Sequence, residues 1–344
     1  MEPDLHRQHG RQRGDQDGSG PGQQLMTVLI LAAKDDIAVD RVLLMLTERG
    51  VPVVRCDTAD VPHDVGIDAM FTSGRWSGTL HSGQRTVDLT EIRAIWNRST
   101  RRCRWPAGMN PAERRHADLE TRLALGGVLS DLPVHWVNHP AVQADADYKP
   151  RQLRMADHCG LETPESLITS SPESARSFAT AAPTVIKPLG SIMLIDGTDT
   201  SIGHTHLLTT EDVRDLSGIE IGPHFLQRWI DKDHEVRLTA VGDELFAARI
   251  RAGSASTHID WRSDPTALSY EVAETPDAVR AGVQRYLKGF GLVFAAFDFV
   301  VRPDGTWVFL EANTCGQYGW IEHETGAPIS RALADQLARE ADAR

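Results

Sequence analysis

Cysteine is scarce in this sequence: four in 344 residues, Cys56, Cys103, Cys159 and Cys315, widely separated and with no CxxC pair. That spacing suits neither a disulfide framework nor a zinc module, so a reducing cytoplasm is the expected setting. No segment approaches the roughly 20 apolar residues of a membrane span. Basic residues are in deficit, 36 Lys and Arg against 48 Asp and Glu, for a net charge of −12. A general nucleic-acid binder needs a basic face, and this balance argues against one. Residues 1–25 are polar and Gly-rich with no apolar signal-peptide core; they are expected to be disordered and dispensable, with Met26 the natural start. The first apolar strand is followed by Ala-Ala-Lys-Asp-Asp where a dinucleotide site would need GxGxxG.

What is present is the composition of a globular protein, 41% hydrophobic and 24% charged, long enough for two or three lobes with buried cores. From Met26 a strand, a helix ending at Gly50 and a second strand form a βαβ opening, followed by a strand at "AIWNRS" and a helix from Pro111. The expected organisation is a Rossmann-like first domain at 26–138, a central lobe at 139–222 and a C-terminal lobe at 223–344. Pro150 and Gly160 bracket a helix, which places Lys149 at its entrance. "APTVIKPLG" is an apolar strand with a lone Lys187, which needs an anion or an acid partner unless it lies at an exposed edge. Gly190 and Gly197 then supply a flexible turn that could cover a phosphate chain.

Three clusters carry chemistry. In "FAAFDFVVRPDGTWVFLEANTCGQYGW", Asp304-Gly305 taken as a two-residue hairpin loop sets Asp298 opposite Glu311, with Asn313 on the same face. A three-residue loop with a bulge would shift that pairing. Two facing carboxylates repel unless a cation sits between them, and two carboxylates with an amide suit Mg²⁺. By that argument, neutralising either acid would stabilise the metal-free protein. The alternative is a hairpin whose acids face solvent. In "HEVRLTAVGDELFAARI", a three-residue loop would pair Arg237 with Arg249 and leave Glu235 on their face; paired arginines suit a triphosphate, or else point outward from a surface hairpin. Arg98, Arg101, Arg102 and Arg104, in an otherwise acidic chain, form either a solvated loop or a dock for an acidic partner.

Together, and in this order, these residues resemble the ATP-grasp superfamily. The resemblance implies α/β (α+β) lobes in an ATP-grasp fold behind an N-terminal Rossmann-like, pre-ATP-grasp domain. Lys149 and Lys187 match the phosphate-binding lysines. Gln227, Arg228, Trp229 and Ile230 match the adenine-binding strand and Glu235 the ribose acid. Asp298, Glu311 and Asn313 match the Mg²⁺ signature, and Arg237 and Arg249 would offset charge on the transferring phosphoryl. More narrowly, the chain resembles the peptide maturases of graspetide (microviridin-type) biosynthesis. That family often shows Asn-Pro after the metal Glu, where Asn313-Thr314 stands here. The resemblance implies an ATP- and Mg²⁺-dependent ligase forming ω-ester or ω-amide crosslinks in a ribosomally made precursor peptide. Arg98, Arg101 and Arg102, with Asp260, Trp261 and Arg262 of "HIDWRSD", would contact that peptide. It also implies a homodimer, with neither nucleic acid nor membrane as partner. The competing readings are an amino-acid ligase of the glutathione synthetase or ribosomal-protein glutamate ligase type and, in another class, a non-catalytic ATP-binding regulator.

Overall fold

The computed structural model describes residues 26–190, 193–196, 199–203 and 205–342. The expectations for residues 1–25 and for Gly197 lie outside them. Among the described residues no helix is long and apolar enough to cross a membrane.

The N-terminal sheet is parallel, in the order Val53–Cys56, Thr27–Leu31, Ile92–Asn97, His135–Val137. Thr27–Leu31 is buried throughout, as a central strand covered on both faces requires. The helix Ile37–Glu48 that follows begins where the Asp36 carboxylate accepts from the Ala38 amide at 3.1 Å. An antiparallel three-stranded sheet, Val65–Thr72, Arg75–Ser82 and Arg85–Asp88, is inserted before Ile92–Asn97. Its strands are largely exposed and lack a strong apolar alternation, which is why the sequence pattern does not announce them.

A central antiparallel sheet runs His206–Leu207, Thr184–Lys187, His224–Arg228, Ser166–Thr169. The C-terminal sheet has five antiparallel strands: Leu268–Ala273, Glu244–Ala252, His234–Val241, Phe294–Val301, Trp307–Asn313. One of its faces packs Phe297, Phe299 and Phe309 with Val283, Tyr286 and Leu287 of helix Asp277–Phe290. Helix Lys149–His158 joins the same core through Ala156, so Lys149 rides on the C-terminal sheet and not on the sheet that carries Lys187. The first and last parts of the chain share a core as well. Leu333 and Leu337 of the closing helix Ile329–Asp342 cluster with Val39, Val42 and Leu46 of the first helix and with Phe294.

Both hairpin loops differ from expectation by one residue. Val241 pairs with Glu244 across a two-residue Gly242-Asp243 turn, and Gly242 takes φ +55°, as the tight hairpin turns demand. Arg237 therefore faces Ala248, Arg249 faces Val236, and the two arginines lie on opposite faces of the sheet. In the second hairpin the Arg302 amide donates to the Thr306 carbonyl at 2.9 Å, closing a three-residue loop, Pro303-Asp304-Gly305. A bulge between Phe299 and Asp298 then absorbs the extra residue, Leu310, and restores Asp298 opposite Glu311. The expected acid pair forms, through two departures that cancel.

Arg98 is buried, so it is not part of an exposed basic loop. Its guanidinium pairs with Asp36 at 3.2 Å, donates to Gln317 Oε1 at 2.6 Å and to Gly316 O at 3.2 Å, bonds the Cys315 carbonyl, and lies over the Tyr318 ring. It ties the end of strand Ile92–Asn97 to the loop that follows Asn313. Arg101 is engaged with Asp57 and Asp35, and Arg104 with Asp60, whereas Arg102 is exposed. Arg98→Ala strands Asp36 and three acceptors, and is expected to cost about 3–5 kcal/mol of stability in urea unfolding. Arg102→Ala should leave the midpoint within about 0.5 kcal/mol of wild type.

Candidate active site

Asp298 and Glu311 meet on the cleft face of the C-terminal sheet, and the cations that permit this are the chain's own. The Asp298 carboxylate accepts from Arg237 Nη1 at 2.8 Å and from Arg262 Nη2 at 3.4 Å. Glu311 accepts from Arg262 Nη2 at 3.1 Å and from the Lys149 ammonium. Asn313 Nδ2 faces Asp298 Oδ2 at 3.4 Å, which leaves its amide oxygen free of that contact. Burial works against charge on both acids. In Glu311, Lys149 and Arg262 outweigh it and hold the carboxyl well below its usual range. In Asp298 burial prevails and raises the pKa, with Arg237 and Arg262 offsetting it only in part. Burial also opposes the charge of Arg262, but Asp298 and Glu311 outweigh it and raise its pKa. Arg262 therefore belongs to the acid cluster, a position its local sequence did not disclose.

Arg237 reaches the cluster because residue 316 is glycine. A Cβ there would stand 2.6 Å from Arg237 Nη2 and 2.5 Å from the Ala296 Cβ. Arg237 Nη2 also donates to the Gln317 carbonyl at 3.2 Å. Arg249 lies 3.6 Å from Glu271 on the far side of the sheet, away from the acids. The expected Arg237–Arg249 juxtaposition is thus corrected by the turn.

The cleft continues from the acids to the central sheet. Lys187 Nζ donates to Gln227 Oε1 at 2.8 Å, and burial lowers its pKa to about 8. Gln227, Trp229 and Ile230 line the same cleft, with Val185, Val300 and Leu310 as its apolar walls. The Arg228 side chain turns away, to Glu165 at 2.7 Å and over the Phe178 ring at 3.6 Å. Its backbone amide, like that of Trp229, is already bonded, to Glu165 O and Pro183 O. Glu235 is buried against Lys232; desolvation raises its pKa despite that partner. Asp260 accepts from the Thr205 amide at 2.9 Å and caps the turn that carries Trp261 and Arg262.

The donor set fits a hard divalent cation, because two carboxylates and the Asn313 side-chain amide share one face. Among the described residues no larger group of His, Cys, Asp or Glu is placed to hold a metal. A second, open cavity of about 600 Å³ lies beside this cleft, lined by Asp35, Ile37, Arg41, Gln317, Trp320 and His323 among others. The two are divided by Trp261 and Trp320, whose ring centroids are 5.1 Å apart.

Because Lys149 and Arg262 outweigh burial at Glu311, neutralising that acid does not relieve repulsion; it takes the carboxylate away from both cations. Glu311→Gln is expected to destabilise the metal-free protein by about 3 kcal/mol in chemical unfolding, the reverse of the effect expected from the acid pair alone.

Residues 27–144 match the MvdD pre-ATP-grasp domain family. The sequence matches no functionally curated protein. Among solved structures, the chain is similar to a RiPP-associated ATP-grasp ligase of Chryseobacterium gregarium in complex with ADP and a leader and core peptide. That match has a TM-score of 0.85 and 24% identity, over 92% of this chain and 97% of that one. It is also similar to two macrocyclases of Microcystis aeruginosa MRC. MdnC, bound with precursor peptide MdnA, gives a TM-score of 0.81 and 28% identity over 91% of this chain and 99% of its own. MdnB gives 0.75 and 26%, with the same coverages. The chain thus has an ATP-grasp fold with an MvdD-type pre-ATP-grasp domain in front, and within that fold it resembles the graspetide maturases.

Proposed function

We propose that the chain is an ATP-dependent peptide macrocyclase. It activates Asp or Glu side chains of a ribosomally made precursor peptide as acyl phosphates and closes them onto Thr or Ser as ω-esters, or onto Lys as ω-amides. The observation that carries this reading is the whole-chain likeness to MdnC, 28% identical over 91% of this chain, in a molecule with the acid pair Asp298–Glu311 intact.

In this reading ATP is a substrate lying along the cleft. Trp229, Ile230 and Gln227 border the adenine, with Arg228 contributing backbone only, and Glu235 takes the ribose. Lys149 and Lys187 exchange Glu311 and Gln227 for phosphate oxygens. Asp298, Glu311 and Asn313 would hold Mg²⁺, which would supply charge neutralisation for the phosphates. Arg237 and Arg262 keep the acids oriented, and Arg262, which lines the cleft, also presents positive charge toward the phosphates. Arg249 has no part in this arrangement. The peptide carboxylate attacks the terminal phosphorus and ADP leaves; a hydroxyl or amine of the same peptide then displaces phosphate. Activation is required because hydroxide is a poor leaving group, and holding both groups on one chain makes ring closure effectively unimolecular. Desolvation raises the pKa of the Cys315 thiol, and the reaction as drawn needs no enzyme nucleophile.

Arg98 and Arg101 are committed to internal partners, which leaves the open cavity behind Trp320 as the seat of the peptide. It opens where the N-terminal sheet reverses its order, at the carboxyl ends of Thr27–Leu31 and Ile92–Asn97, and ligands of open α/β sheets lie at such points. A cytoplasmic location, in keeping with four unpaired cysteines and the need for ATP, belongs to the same proposal.

With ATP, Mg²⁺ and its precursor, the protein is expected to yield peptide lighter by one water per bond formed, with ADP and phosphate in equal number. Intact-mass spectrometry coupled to an ADP assay reads both. Ile37→Glu should raise KM for the peptide several-fold with KM for ATP unchanged. A mass gain of one amino-acid residue would favour the ligase reading, and nucleotide binding without turnover the regulator.

Lys187 gives a pH signature. Its pKa near 8 in the free protein must rise when phosphate supplies a counter-charge, so binding takes up a proton above pH 8 and affinity falls as pH rises through that value. Calorimetric titration of ADP with Mg²⁺ at pH 8.5, in two buffers of different ionisation enthalpy, should show this uptake in wild type and not in Lys187→Met.

A further inference from the structure

The bulge that places Asp298 opposite Glu311 sits in the edge strand Trp307–Asn313, which among the described residues has no sixth strand beside it, only an isolated bridge between Val308 and Glu162. Strand register on the turn side of the bulge differs by one residue from register beyond it. A slip by one would turn Glu311 and Asn313 to the apolar face and bring Ala312 to the cleft. Something must hold the far side of the bulge in place, and the turn cannot.

We infer that Gln152 is the positioning residue that pins this register, and through it the spacing of Glu311 and Asn313. Its amide occupies the place of a missing neighbouring strand. Nε2 donates to the Ala312 carbonyl at 2.8 Å and Oε1 accepts from the Ala312 amide at 3.1 Å, so both backbone polar groups of the one residue lying between the two cleft-face residues are taken. Its second amide proton goes to the Ala146 carbonyl at 2.8 Å, which fixes the side chain from behind. Gln152 is 4% exposed, so water does not compete for these bonds.

Gln152 lies one helical turn after Lys149 on helix Lys149–His158, and residues three apart share a helix face. Lys149 thus engages the Glu311 side chain while Gln152 engages the next residue's backbone, and a single rigid helix sets both. On the turn side of the bulge the same strand edge is held differently, by the Phe309 amide donating to the Glu162 carbonyl at 2.7 Å. The two clamps straddle Leu310, so the extra residue of the bulge is confined between fixed points. Asn138, which donates to the Thr314 carbonyl at 3.1 Å, restrains the strand's exit but does not touch the segment between Leu310 and Asn313.

This inference rests on the proposed metal site and is tested on the full chain with Mn²⁺ as the probe. Wild type, Gln152→Met and Gln152→Glu are compared for unfolding midpoint without ligands, for ADP affinity without metal, and for Mn²⁺ affinity in the presence of ADP by electron paramagnetic resonance. Methionine keeps the length and removes both bonds; glutamate keeps an acceptor for the Ala312 amide. The expected result is a Mn²⁺ affinity at least tenfold weaker in Gln152→Met and less reduced in Gln152→Glu, with ADP affinity in the absence of metal within twofold of wild type. If the methionine variant does not fold, the glutamate variant carries the same comparison. Equal Mn²⁺ affinity in a folded variant, or parallel losses of ADP and Mn²⁺ affinity, would overturn the assignment. Absence of Mn²⁺ binding in wild type would instead overturn the metal site on which it rests. In wild type the Ala312 amide should also be protected from hydrogen exchange despite its edge position, and rapid exchange there would exclude the pin.

Discussion

Two carboxylates cannot be buried face to face without cations between them, and much of this architecture serves to deliver those cations. Lys149 comes from the entrance of a helix, Arg237 from the neighbouring strand, and Arg262 from a short turn between two other strands. Each is placed by a different local rule: the helix by Pro150, the strand by its hairpin turn, the short turn by the Asp260 cap. Their convergence on one pair of acids is a property of the assembled sheet. It also explains the closeness of backbone around Gly316, where any side chain would displace Arg237 from Asp298.

The sequence disclosed the parts of this site that depend on local pattern. The Asp298–Glu311–Asn313 face, the lysine at a helix entrance and the lysine in an apolar strand are all readable from periodicity and turn residues. What it could not disclose is register and what comes together across the fold. A hairpin loop of two or three residues is not distinguished by Gly and Asp alone, and an error of one residue sends a side chain to the opposite face. That single uncertainty misplaced Arg249. For the acid pair the same uncertainty was cancelled by the bulge at Leu310, which no periodicity signals. The internal partners of Arg98 and Arg262 were hidden for another reason: an arginine in a polar stretch shows none until they, here Asp36, Gly316 and Gln317 or Asp298 and Glu311, arrive from distant sequence.

The first domain is more than an appendage to the cleft. Its helix Ile37–Glu48 shares a core with the closing helix, and Arg98 crosses from its parallel sheet to the loop that follows Asn313. Gln317 joins that arginine to Arg237, because its side chain accepts from Arg98 while its carbonyl accepts from Arg237. A polar path of three residues, buried at Arg98 and Arg237 and exposed at Gln317, therefore runs from the carboxyl end of the N-terminal sheet to Asp298. Networks of this kind are costly when incomplete and rigid when satisfied, so the two halves of the chain hold one geometry together.

Charge is distributed unevenly in a way that bears on how the proposed substrates approach. The molecule carries a net −12, yet the cleft is lined by four basic side chains, Lys149, Lys187, Lys232 and Arg262, against four acidic ones, with Arg237 behind them. A nucleotide polyanion finds counter-charge within the cleft, where low-dielectric walls strengthen it. A peptide rich in carboxylates meets a repelling exterior on the way in, and at physiological ionic strength that repulsion is screened beyond about 8 Å. Long-range steering thus works against such a peptide, and its recognition has to come from contacts made at short range. The cavity beside Trp320 suits this requirement. Its acids are largely engaged, Asp36 by Arg98 and Asp35 by Arg101, and it offers Ile37 and Trp320 as apolar surface next to the cleft where a carboxylate would be phosphorylated.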